Sequence, residues 1–130
     1  MPNSFLTTES SPAAAIVRIQ QPFLDNLAAA DILRAELAKL IEDPSLRLLI
    51  IDLSQVKMLA STSLAALLKT QSQMRERGGD LRLCSMPDFI HEIWRVMNLT
   101  NTIMPVFETP AQALAAPLLA IDSEREIMET

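Results

Sequence analysis

The run Leu46-Arg47-Leu48-Leu49-Ile50-Ile51-Asp52-Leu53 limits this chain more than any other stretch of it. An almost unbroken series of Leu and Ile suits a central strand that is covered on both faces. A strand of that kind needs helices packed above and below it. The rest of the chain supplies them, since segments with strand character alternate with segments of helical period.

Ahead of the run, Ala13 to Ile19 reads as a strand through β-branched Ile16, Val17 and Ile19, and Pro22 interrupts it. From Leu27 to Glu42 the residues Leu27, Ala30, Leu33, Leu37, Leu40 and Ile41 recur at helical spacing, with Pro44 as a stop. A second helix is expected from about Thr62 to Arg77, with Leu64, Leu67, Leu68 and Met74 inward. Gly78 and Gly79, the only glycines, follow it at a left-handed cap. Leu81 and Leu83 mark a short strand over Asp80 to Ser85. Ile90, Ile93, Trp94 and Met97 mark a third helix that Pro87 starts and Asn98 caps. Ile103 to Phe107 is read as the last strand. Thr109-Pro110-Ala111-Gln112 opens a fourth helix, which Pro117 ends or kinks. The expected architecture is α/β: a mixed, mostly parallel sheet of four to five strands with about four helices.

At 130 residues the chain can close a single core. Apolar residues make up 49% of it, yet only four Phe, one Trp and no Tyr are present, so Leu, Ile, Ala, Val and Met must fill that core. The net charge of −5, with basic residues scattered, argues against nucleic acid and against an anionic membrane surface. No apolar run is long enough to insert into a bilayer. Residues Met1 to Ser11 show no signal-peptide pattern, and one cysteine makes no internal disulfide, so the cytoplasm is the expected compartment.

Catalysis finds little support. One histidine and one cysteine are too few for most metal or triad arrangements. His91 falls on the outward face of its helix, and Cys84 reads as a small buried filler. Asp52 lacks the acidic cluster that a magnesium-dependent phospho-acceptor requires. It is expected instead to anchor the loop from Ser54 to Lys57 through side-chain to backbone hydrogen bonds. No enzyme activity and no cofactor are expected.

The segment from Leu49 through Asp52 to Met58-Leu59-Ala60-Ser61-Thr62-Ser63-Leu64 resembles the signature of STAS domains of the bacterial anti-sigma-factor-antagonist type. That family shows an apolar strand ending in aspartate, a short loop, then Asp-Ser-Ser/Thr-Gly-Leu opening a helix. The likeness extends from about Ile16 to Ala115. It includes the glycine pair and Val96-Met97-Asn98-Leu99 leading into Ile103-Met104-Pro105-Val106-Phe107. Residues 13–121 are accordingly read as the STAS-like domain. Residues 1–12 form an N-terminal segment with an edge strand at Ser4 to Thr8 and a polar turn at Glu9-Ser10-Ser11-Pro12. Residues 122–130 form an acidic tail, an extra helix or a frayed end.

The resemblance implies a protein-binding regulatory module in bacterial signalling and transcription control. Its partner would be an anti-sigma factor, a serine/threonine kinase-like protein with a histidine-kinase-like ATP fold, which phosphorylates the second hydroxyl of the motif and is thereby released. That hydroxyl falls on Thr62, with Ser61 beside it. Met58, Ala60, Ser61, Thr62 and Ser63 are the implied docking residues, with Asp52 as the structural support. Two positions depart from the family: its aspartate is Ala60, and its glycine is Ser63, which adds a side chain where a partner backbone would approach. These departures motivate an alternative, a STAS scaffold subunit of a signalling or transport complex that is never phosphorylated. A small-ligand domain ranks below both. Homodimerisation stays open.

Overall fold

The structure, a computed structural model, describes residues 5–96 and 106–116. Along the chain run β1 (Leu6–Ser11), β2 (Ala14–Ile19), β3 (Phe23–Leu24), α1 (Leu27–Leu40), β4 (Leu48–Asp52), β5 (Met58–Leu59), α2 (Ser61–Glu76), β6 (Asp80–Cys84), α3 (Asp88–Val96), β7 (Val106–Phe107) and α4 (Pro110–Ala115). The main sheet has the order β1-β2-β4-β6-β7. Strand β1 is antiparallel to β2 and the other pairs are parallel. The mixed, mostly parallel α/β sheet is therefore present, with four helices among the described residues.

All five residues of β4 are buried, as its apolar run requires. The strand's period of two sends Leu49, Ile51 and the following Leu53 into the larger core, with Ala15, Val17, Ile19, Leu81 and Leu83 from its neighbours. Leu33 and Leu37 of α1, and Leu64, Leu67 and Met74 of α2, close that core from above. Each fully buried Leu or Ile contributes about 1.5–3 kcal/mol. The opposite face carries Ala14, Leu48, Ile50 and Cys84 under Ala113 of α4.

Arg82 also lies on that opposite face, with no exposed surface. Its Nη1 donates to Ala113 O at 2.6 Å and to Ala116 O, and its guanidinium stands 5.6 Å from the centre of the Phe107 ring. Burial lowers its pKa, and the charge of Asp80 acts in the other direction. A buried cation thus holds the end of α4 on the sheet.

The glycine pair serves two separate needs. Gly78 has φ +85°, and its N–H donates to Arg75 O while Gly79 N–H donates to Met74 O, the bonding of a Schellman cap. Gly79 has to be small instead: a Cβ there would lie 2.2 Å from Arg47 O, whose carbonyl accepts from Asp80 N–H.

Several expectations are corrected. Glu9, Ser10 and Ser11 belong to β1, and the turn is Pro12-Ala13, where Ala13 adopts φ +67°. Leu27 fits the apolar spacing of α1 but is 66% exposed, because the buried stripe passes through Ala29, Ala30, Leu33 and Leu37. The two-residue strands β3 and β5, paired in parallel, have no counterpart in the pattern of the sequence. Ile90 is fully buried. Met97, the Asn98 cap, Ile103 to Pro105, Pro117, the acidic tail and the side chains of Ile93 and Trp94 lie outside the described residues.

Candidate functional site

The site is built from the end of β4 outward. Asp52 is 2% exposed, and its Oδ1 accepts from Ser54 N–H at 2.8 Å, which turns the chain out of the sheet. Its Oδ2 faces Arg18 Nε of β2 at 3.4 Å. Val56 N–H donates to Leu53 O, and the Val56 side chain is buried, pinning the loop from the inside.

The loop is then tied to β3. Lys57 and Met58 N–H both donate to Pro22 O, at 2.6 and 3.0 Å, and Ala60 N–H donates to Leu24 O at 2.8 Å. Ser63 Oγ donates to the same Leu24 oxygen at 3.0 Å. One carbonyl of β3 therefore holds both the residue before α2 and the third residue within it.

This geometry sorts the hydroxyl triplet. Ser61 and Thr62 are exposed in the first turn of α2. Ser63 has no exposed surface, and its hydroxyl is turned inward to Leu24 O. The side chain that stands where the family motif has glycine is thus accommodated inside the protein. None of the three residues caps the helix. The N-cap is Ala60 (φ −83°, ψ 162°), which makes no side-chain hydrogen bond to it. Within that first turn Ser63 N–H donates to Ala60 O at 3.1 Å, and a helix N-terminus favours negative charge placed nearby.

Apolar surface borders Thr62. Met58 is 49% exposed and half-buried Ala60 follows shortly after it. Phe23, in register with Met58 on the β3–β5 ladder, is also 49% exposed, and exposed Leu27 shares a groove with Thr62. Phe23 and Leu27 were missed in the sequence. Phe23 sits in a strand too short to alternate, and Leu27 fits the helical stripe by spacing alone.

Reactive groups lie elsewhere. Cys84 is buried, and burial pushes its thiol pKa up to about 11, so the thiol stays protonated near neutral pH. His91 is exposed on α3. Among the described residues no three His, Cys, Asp or Glu side chains gather as they would around a metal ion. No helix among them is long and apolar enough to cross a membrane.

Comparison with known proteins bears on this architecture. BtrV of Bordetella bronchiseptica, whose name assigns it provisionally as an anti-sigma factor antagonist, is 31% identical over 91 residues, covering 70% of this chain and 77% of BtrV. The Bacillus cell fate determinant SpoIIAA in its phosphorylated form superposes with a TM-score of 0.64 at 15% identity, over 84% of this chain and 96% of SpoIIAA. Part of the murine anion transporter Slc26a9 has the same fold, with a TM-score of 0.67 at 20% identity. That match covers 82% of this chain but only 18% of the transporter. The family model for the STAS domain matches residues 6–113, from the start of β1 into α4. The chain belongs to the STAS domain family, a family of non-catalytic, protein-binding regulatory modules.

Proposed function

We propose that this STAS domain acts as an anti-sigma-factor antagonist, docking a kinase-like anti-sigma factor around the start of α2 and leaving it once Thr62 is phosphorylated. The observation that carries the reading is the position of Thr62. Its hydroxyl is exposed in the first turn of a helix whose cap residue, Ala60, offers that turn no side-chain acceptor. The relation to BtrV supports the partner class.

Phosphoryl transfer would join Thr62 Oγ1 to the γ-phosphorus of ATP, release ADP and pass the hydroxyl proton to a base on the kinase. The product carries about −1.5 to −2 charges at neutral pH. At a helix N-terminus that charge is favourable, so the domain stays folded. A partner seated on Met58 and Phe23 meets a new anion at the edge of an apolar contact, and desolvating that anion costs affinity.

The test is incubation with ATP and any serine/threonine kinase found encoded beside this gene, followed by intact-mass measurement. One added phosphate, absent in Thr62→Ala, is the expected result. An unchanged mass overturns the switch. Ala60, standing where the family motif has aspartate, favours a second reading, a STAS scaffold that binds without being switched. On that reading Thr62→Glu leaves partner affinity unchanged.

A further inference from the structure

A groove of about 210 Å3 runs between α1 and α2, and Thr62 is among the residues lining it. The α2 wall consists of Thr62, Ala65, Ala66 and Lys69. Spacings of three, four and seven keep these residues on one helix face. Lys69 therefore stands two turns from Thr62, about 10 Å along the axis. Helical side chains lean toward the N-terminus, so an extended Lys69 reaches back along the groove toward Thr62. The two residues between them are alanines, whose methyl groups leave that path open.

The α1 wall adds a second cation. Arg34 lines the groove and is held by Asp31 through a 2.6 Å contact between Nη2 and Oδ1, with both side chains more than half exposed. An exposed ion pair one turn apart is weak and easily exchanged. Among the described residues no carboxylate pairs with Lys69. The charged groups facing the groove are thus Asp31, Arg34 and Lys69, with a net charge of +1.

We propose that this groove receives the phosphate of a modified Thr62. Lys69 closes on it along its own helix, and Arg34 exchanges Asp31 for the more highly charged group. The modified chain then fills, with its own side chains, a groove that the unmodified chain leaves open. The inference rests on the reading of Thr62 as the modified residue and adds the means by which the modification is registered. Phosphorylation then changes the shape of the surface beside Thr62 as well as its charge.

Phosphothreonine installed at position 62 during translation makes the test independent of any kinase. Titration followed by 31P NMR reports the second ionisation of the phosphate, near 6 in an unassisted phosphomonoester. The midpoint is expected to be lower in the intact protein than in the Lys69→Met, Arg34→Met double variant, by about half a unit or more. Lys69→Arg should keep the low midpoint. Asp31→Asn, which removes the one opposing charge, should lower it further. Equal midpoints in the intact protein and the double variant overturn the inference, as does an Asp31→Asn protein that titrates unchanged. If the low midpoint is found while the kinase leaves Thr62 unmodified, the groove stands and the phospho-switch reading falls. Modification by the kinase with equal midpoints gives the reverse.

Discussion

Helices α1 and α2 begin beside the same groove and are finished in opposite ways. Asn26 precedes α1 with extended backbone, and its Oδ1 accepts from Ala29 N–H at 2.8 Å. Ala60 precedes α2 with a similar backbone and nothing to offer. Three hydroxyl residues follow Ala60, but even the first of them comes one position too late to cap. One of them turns inward to Leu24 O and two face solvent. Thr109, which accepts from Gln112 N–H at the start of α4, shows that this chain can cap with a hydroxyl. The start of α1 is closed by its own side chain. At the start of α2 no side chain takes that place.

The sharpest way to break this contrast is to put charge at the open end. Thr62→Glu is expected to weaken binding of the kinase-like partner at least about tenfold, or about 1.4 kcal/mol, measured by calorimetric titration. The folding midpoint should hold or rise, because the new carboxylate lies at a helix N-terminus. A fall in the folding midpoint would show that α2 does not tolerate an anion there. At the closed end, Asn26→Ala should lower the free energy of unfolding by about 1 kcal/mol in urea and leave partner affinity unchanged.

Ser63→Ala tests the residue that joins the two regions. Its loss should be smaller, about 0.5–1 kcal/mol, because Leu24 O keeps Ala60 N–H as a donor when the hydroxyl is removed. If partner affinity falls more than stability, Ser63 is a docking residue after all. The smallest effect is a gain. Ala60→Asp supplies the missing cap and should raise the free energy of unfolding by about 0.5 kcal/mol. It should also place a carboxylate near any phosphate on Thr62, raising the second ionisation midpoint of that phosphate.

The framework of the fold was legible where the cause is local. The apolar run of β4, the glycine pair behind α2 and the Thr109-Pro110 start of α4 each carry their reason within a few residues. Leu27 misled because its spacing from Ala30 and Leu33 fits a stripe. Which side of a helix faces the sheet is decided by how the whole helix packs, and that placed Ala29 inside instead. Strands β3 and β5 stayed hidden because two residues cannot alternate, and their pairing joins parts of the chain separated by all of α1 and β4. Thr62 could be located through the family motif. That Ser63 turns away from the surface depends on a carbonyl of β3, which no feature near Ser63 in the sequence announces.

That carbonyl has a mechanical consequence. Leu24 is locked in the core, Phe23 beside it projects outward, and the Leu24 oxygen holds Ala60 and Ser63 on either side of Thr62. Only one residue separates the Phe23 ring from the bonds that hold the backbone on either side of Thr62. Any free energy by which a hold on Phe23 favours one presentation of Thr62 must, by linkage, act in equal measure from a change at Thr62 on that hold.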